Sequence, residues 1–166
     1  VEDDYMDIIT SKHLVSENNK VTVEFGNRGR ADGEAVYYYT ELDAAVVRVK
    51  KEDFEHDLKE AKDVEPLSKG EYDSISLNKK VFFTSDIFDT TLEISEGNWY
   101  SSHEYIQELG YEAGIFLGEV KPGMSGGALF DEEDRLVGMI IASNDLKGAI
   151  IPSYEIMEEY IAFSSK

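Results

Sequence analysis

The most informative stretch of this chain is Gly123-Met124-Ser125-Gly126-Gly127, which predicts a sharp turn that exposes the hydroxyl of one serine. Glycines on both sides of Ser125 permit a tight backbone that aims N–H groups at one point, where an oxyanion would form. They also leave room for a substrate. Glycine-rich turns that contain serine are nevertheless common in proteins without enzymatic activity. Taken alone, this stretch is compatible with a nucleophilic serine and with an ordinary turn.

The residues after this turn predict a β-hairpin. The segment Ala128-Leu129-Phe130 has the composition of a strand, Asp131-Glu132-Glu133-Asp134 that of a turn, and residues 136–142 that of the returning strand. An alternative role for the four acidic residues is calcium binding. They lack, however, the spaced oxygen ligands and the glycine of a calcium-binding loop, so a hairpin turn is the prediction.

Short β-rich segments separated by turn residues extend along the chain and predict an all-β protein with one C-terminal helix. A charged stretch at residues 50–69 separates two groups of strands. In the helix, Ser153 is expected to cap the N-terminus, and the buried face is expected to hold Ile156, Met157, Tyr160 and Ile161. The predicted strands are 7–10, 21–25, 34–39, 44–49, 80–84, 91–94, 114–117, 128–130, 136–142 and 149–151.

Composition excludes several kinds of protein. The 166 residues are 42% hydrophobic, which predicts a globular protein, and no apolar run approaches the roughly 18 residues of a membrane helix. With 16 basic and 35 acidic residues the formal charge is −19, so nucleic acid and anionic lipid are poor partners. This acidity serves solubility or, alternatively, recruits basic substrates. The absence of cysteine excludes disulfides, thiolate metal sites and cysteine nucleophiles.

Residues 125–140 resemble the segment around the active-site serine of trypsin-like peptidases, particularly the bacterial HtrA (Deg) branch. There a GNSGGPL-type motif precedes a turn and a VVGI-type strand. Met124 and Ala128 replace the Asn and Pro of that motif, and neither change removes a catalytic atom. Three further segments are similar to family motifs in the expected order: 8–15 to LTNAHVV, 42–49 to DLAVLKV and 148–153 to GFAIPS.

The resemblance implies a double six-stranded β-barrel in a single peptidase domain. Its N-terminal barrel would occupy residues 1–60, its C-terminal barrel 70–152 and its terminal helix 153–164. Only twelve residues precede His13, so the N-terminal barrel is expected to lack its first strands. No PDZ domain is expected after the last helix within this chain.

The resemblance also implies a serine endopeptidase with the catalytic residues His13, Asp43 and Ser125. His13 would take the Ser125 proton, Asp43 would orient the imidazole, and the backbone N–H groups of Gly123 and Ser125 would form the oxyanion hole. No cofactor and no metal is implied. Asp43 as a turn residue at a strand end, and Ser125 as an inert turn serine, are the competing interpretations. They would make the chain a catalytically silent barrel pair that acts as a sensor or protein-binding module.

The implied partner is a protein or peptide substrate that adds as an extended strand along Ile141-Ala142-Ser143. The side chain before the scissile bond would enter a pocket walled by Ile140 to Ser143, by Gly148 to Ile150 and by the segment that leads to Ser125. These walls predict a preference for small aliphatic residues. If the carboxylate of Glu119 pointed inward, Arg or Lys would be preferred instead. The HtrA-like relatives predict an extracytoplasmic location, with the cytoplasm as the alternative.

Overall fold

The computed structural model describes residues 4–15, 19–24, 29–54, 63–84, 93–144 and 146–166. The chain divides into two compact units, residues 1–63 and residues 64–166. In the described residues each unit is built around one antiparallel β-sheet, and the second unit also carries the C-terminal helix.

The first unit contains a four-stranded sheet in the order β1-β4-β3-β2, with every neighbouring pair antiparallel. Its strands are β1 (Tyr5–Thr10), β2 (Lys20–Glu24), β3 (Arg30–Tyr38) and β4 (Ala45–Lys50). Apolar and polar side chains alternate along β2 and along the first part of β3, so one face of the sheet is buried and the other is solvated. The buried face is lined by Val15, Ala31, Ala35, Ala45, Val47 and Val49.

The second unit is a closed six-stranded barrel in the order β10-β7-β6-β5-β8-β9. Its strands are β5 (Lys80–Thr84), β6 (Ile94–Ile106), β7 (Tyr111–Leu117), β8 (Ala128–Phe130), β9 (Leu136–Asn144) and β10 (Lys147–Pro152). Closure gives each of these strands a partner on both sides along at least part of its length, which leaves little of the exposed sheet edge that promotes aggregation. The barrel interior is filled by large side chains that include Tyr72, Trp99, Phe116, Leu129 and Ile150.

The prediction of an all-β protein with a C-terminal helix is confirmed. Each predicted strand overlaps an observed one, and for all but the segment 91–94 the ends differ by a few residues; Phe25 and residues 91–92 lie outside the described residues. The main error concerns β6, which was expected to end at Ile94 but begins there and continues to Ile106. Most of β6 is polar and a core-facing position holds Gly97, so its sequence lacks the apolar alternation typical of a strand. The strand forms because it pairs with β5 and β7.

A short helix, α1 (Lys69–Asp73), was not predicted; it begins at the last residue of the charged stretch that separates the two groups of strands. Ser68 and Glu71 form a capping box at its start. The Ser68 hydroxyl accepts from the Glu71 N–H, and the Glu71 carboxylate accepts from the Ser68 N–H. Glu71 also accepts from Arg135, which follows the β8–β9 turn.

The C-terminal helix α2 (Ser153–Ser164) packs on β9 and β10. Two details of its prediction are wrong. Ser153 is buried and does not cap the helix, because its hydroxyl donates instead to the carbonyl oxygen of Leu136 at 2.7 Å. Ile161 is exposed, whereas Ile156 is buried. No helix in the described part of the chain combines the length and the apolar character that crossing a bilayer requires.

Candidate active site

Asp43 holds His13 through two separate hydrogen bonds. The ring Nδ1 of His13 donates to Asp43 Oδ2 at 2.6 Å, and the His13 backbone N–H donates to Oδ1 at 2.9 Å. The His13 side chain is 48% exposed, whereas that of Asp43 is 19% exposed. A neutral imidazole that donates from Nδ1 keeps a lone pair on Nε2, which is the form a general base needs.

Two loops of the first unit bring these residues together across thirty positions of sequence. His13 lies in a short 3₁₀ turn, Lys12–Leu14, that follows β1. Asp43 lies in the loop between β3 and β4, which is closed by a bond from the Tyr39 N–H to the Ala44 carbonyl at 3.0 Å. The Lys12 N–H also donates to the Asp43 carbonyl at 3.2 Å, so backbone and side-chain bonds fix the two loops together.

Ser125 lies in the second unit, on the turn that leads into β8. It is half-buried, and its hydroxyl points towards the carbonyl oxygen of Ile141 at 3.4 Å. The turn is fastened to β9 by two backbone bonds, from Gly126 N–H to the Ile140 carbonyl and from Ile140 N–H to the Gly127 carbonyl. These bonds place the serine beside the middle of β9.

Gly123 adopts a backbone conformation that most residues avoid, with φ at 97°. The Met124 N–H donates to the Lys121 carbonyl at 3.2 Å, so residues 121–124 form a closed β-turn with Pro122 and Gly123 in its centre. A positive φ at the third residue identifies a type II turn, whose central peptide is rotated by about 180° from that of a type I turn. The orientation of the Gly123 N–H is therefore fixed by this glycine.

The strand β9 is paired on both sides only in its first half. β8 pairs with it from Leu136 to Met139, whereas residues 142–144 pair with β10 alone in the described structure. A register shift in the pairing with β10 lies next to Ile141. The unpaired edge begins at the carbonyl that Ser125 contacts, and it offers backbone groups to an extended peptide.

Comparison with known proteins identifies the fold family. Residues 1–139 match the family model described as the trypsin-like peptidase domain. The chain belongs to this family. The half-buried serine on its glycine turn and the histidine–aspartate pair all lie within the matched residues.

A curated relative of this peptidase domain is named "Serine protease HtrA-like" and comes from Staphylococcus epidermidis. The two are 25% identical over 150 residues, which cover 84% of this chain and 24% of the relative. The chain therefore spans about a quarter of the length of the curated relative that it matches.

Two solved structures share the fold. The HtrA-type protease AlgW with a decapeptide is 19% identical, with a TM-score of 0.75 over 98% of this chain and 50% of that one. A serine-to-alanine mutant of Rv3671c from M. tuberculosis, in an inactive form, is 15% identical, with a TM-score of 0.69 over 100% of this chain and 80% of that one.

Two core side chains, those of Phe116 and Val120, lie against Gly148, which pairs with Ser143 in the half of β9 that β8 leaves unpaired. The sequence alone does not connect them with the site. A Cβ added to Gly148 would lie 2.4 Å from carbons of the Phe116 ring and 2.9 Å from the Val120 side chain. Phe116 is fully buried and Val120 nearly so. Glu119, in contrast, is exposed, so its carboxylate lies in solvent. Phe116 was not singled out from the sequence, and only packing shows that it lies against Gly148.

The structure groups the predicted site residues into two sets. His13 and Asp43 contact each other in the first unit, while Gly123, Ser125 and the segment Ile140-Ile141-Ala142-Ser143 cluster in the second. Among the described residues, no group of three or more His, Asp or Glu side chains is arranged to hold a metal ion.

Proposed function

We propose that this chain is a serine endopeptidase that hydrolyses peptide bonds through an acyl-enzyme intermediate. Ser125 Oγ attacks the carbonyl carbon of the scissile bond while His13 Nε2 takes its proton. His13 then passes this proton to the leaving amine as the C–N bond breaks. A water molecule, deprotonated by the same imidazole, hydrolyses the ester and releases Ser125.

The observation that carries this proposal is the double hydrogen bond between Asp43 and His13. An exposed histidine on a surface turn gains no packing from such an arrangement. A catalytic histidine needs it, because the carboxylate fixes the tautomer and stabilises the imidazolium that forms during proton transfer. The limited exposure of Asp43 strengthens this electrostatic effect.

The turn around Gly123 supports a role in binding the oxyanion. In the proposed mechanism the N–H groups of Gly123 and Ser125 donate to the oxygen of the tetrahedral intermediate. The type II turn holds the Gly123 peptide in one orientation before substrate binds, and preorganised donors of this kind stabilise developing charge without reorganisation.

The free edge of β9 supports a protein or peptide as substrate. An extended peptide would pair with Ile141-Ala142-Ser143, next to the serine hydroxyl. We propose that a small aliphatic side chain precedes the scissile bond, because Phe116 and Val120 fill the space beside Gly148. The exposure of Glu119 argues against a basic side chain at this position. We also propose an extracytoplasmic location, on the likeness to an HtrA-like relative.

Labelling with a fluorophosphonate probe tests the proposal. The probe should attach to Ser125 in the parent protein, and both Ser125→Ala and His13→Ala should abolish labelling while leaving the circular dichroism spectrum unchanged. Ser76→Ala, which removes the hydroxyl of an exposed serine in the second unit outside the proposed site, is the matched control and should label normally. A folded parent that fails to label would instead support the silent sensor or binding module.

A further inference from the structure

A cavity of about 490 Å³ lies in the second unit next to the free edge of β9. On one side it is lined by residues 142–144, and on the other by Glu104 and Glu108 near the end of the β6–β7 hairpin. Its apolar walls include Ile106, Leu109 and Ile115. The cavity therefore combines an apolar interior with two carboxylates.

Neither carboxylate is neutralised by a neighbouring side chain in the described residues. Glu104 is half-buried and Glu108 is exposed, and no ion pair or side-chain hydrogen bond involves them there. The only basic residue that lines the cavity in the described structure is Lys147. Its ammonium group lies over the ring of Tyr100, 4.7 Å from the ring centroid, and Tyr100 is not among the residues that line the cavity.

The strand β9 connects the cavity to Ser125, since neighbouring residues of this strand contact each of them. Ile141 is the residue whose carbonyl the serine contacts, and the cavity begins at the next residue and extends to Asn144. Because a strand advances by roughly 3.3 Å per residue, the cavity spans roughly 3–10 Å from that carbonyl. An extended peptide paired with this edge would bring side chains two to four residues before the scissile bond to the cavity.

We propose that this cavity binds a basic side chain of the substrate, Lys or Arg, two to four residues before the scissile bond. The proposal rests on the peptidase function argued above. A long aliphatic stem with a cationic end matches an apolar interior rimmed by carboxylates, whereas an acidic side chain would meet like charge. Part of the chain's acidity thus serves substrate recruitment.

Binding to the Ser125→Ala protein tests this without requiring cleavage. Two fluorescent peptides are compared that place valine directly before the scissile bond, one with Lys and one with norleucine at the three residues that precede the valine. We expect the Lys peptide to bind about fivefold more tightly or better, and Glu104→Gln combined with Glu108→Gln to reduce this preference to less than twofold. Glu158→Gln, an exposed carboxylate on α2, is the matched control for general charge and should keep the preference.

Equal binding of the two peptides by the Ser125→Ala protein would overturn the proposal. So would a preference for Lys that survives in the double glutamine variant, since attraction to the overall negative charge would then explain it. Fluorophosphonate labelling of the parent reports separately on the peptidase function. If the parent does not label but the Ser125→Ala protein still prefers the Lys peptide, the cavity binds basic side chains in a protein that is a binding module and not a peptidase.

Discussion

The carboxylate of Asp43 accepts hydrogen bonds from both the backbone N–H and the ring Nδ1 of His13, at 2.9 and 2.6 Å. One oxygen therefore positions the turn and the other positions the imidazole. We therefore expect substitution of Asp43 to affect the proposed chemistry more than folding.

Replacement of Asp43 by Asn should lower kcat by about 10⁴-fold, because the amide NH₂ facing Nδ1 favours the wrong tautomer of His13. KM should change little. Steady-state kinetics on a peptide substrate measure both constants. Asp7→Asn is the matched control, since Asp7 pairs with Arg48 on the same sheet and its loss should reduce stability without a comparable loss of kcat. A kcat of Asp43→Asn within tenfold of the parent would contradict the assigned role.

Replacement of Gly123 by Ala should lower both the stability of the protein and its kcat, whereas a similarly strained glycine outside the turn at Ser125 should lower only the stability. A side chain at φ 97° costs roughly 1–2 kcal/mol in stability, and relief by rotation of the Pro122–Gly123 peptide would remove one oxyanion donor. We expect kcat to fall by about 10²–10³-fold. Gly110→Ala introduces similar strain, at φ 78°, with nothing within 4 Å of the new methyl group. Equal kcat values for the two variants would show that the Gly123 turn has no catalytic role.

Addition of a methyl group at Gly148 should destabilise the barrel. The new Cβ would meet the Phe116 ring at 2.4 Å, and overpacking of this kind costs about 1–3 kcal/mol. Gly70→Ala, in α1 with nothing within 4 Å, should be neutral or slightly stabilising. Urea denaturation measures both free energies of unfolding. Phe116→Leu should partly rescue Gly148→Ala, and simple additivity of the two losses would refute the contact.

Removal of the Asp131 side chain should lower the free energy of unfolding by more than is usual for a residue in a surface turn. This nearly buried carboxylate accepts from the backbone N–H groups of Glu133 and Arg135 and from the Arg135 guanidinium. We expect Asp131→Ala to lower the free energy of unfolding by about 2–3 kcal/mol, since it leaves these donors unsatisfied. Glu132→Ala removes only an exposed pair with Lys79 and should cost less than about 1 kcal/mol. Equal losses in chemical denaturation would show that the turn does not depend on Asp131.

The contribution of Glu71 to folding stability should decrease at acidic pH. Hydrogen bonds from the Ser68 hydroxyl and backbone N–H hold the pKa of this carboxyl below its ordinary value of 4.5. A carboxyl whose pKa is lower in the folded state stabilises the protein above the unfolded pKa, and this contribution is lost as the pH falls through the folded pKa. The melting temperature of the parent should exceed that of Glu71→Gln at about pH 6, and the difference should shrink towards about pH 3. A constant difference would contradict this linkage.

Local patterns were enough to predict the β-rich class, nine strands in their approximate places and the C-terminal helix. Alternation of apolar and polar residues along β2 and β3 depends only on the geometry of a strand, so it can be read without knowing the partners. The glycines around Ser125 can likewise be interpreted locally, because glycine is the residue that adopts positive φ without steric cost. Gly123 and Gly126 both have positive φ. The order of motifs then indicated His13, Asp43 and Ser125 before any contact was known.

Contacts between distant segments depended on the tertiary structure. The polar strand β6 forms because β5 and β7 pair with it, and Ser153 turns to the Leu136 carbonyl because the barrel buries it there. The contact of Phe116 with Gly148 and the cavity beside Glu104 likewise require neighbouring strands to be in register. Such features arise from packing and from the pairing of buried polar groups, which no local pattern of residues encodes.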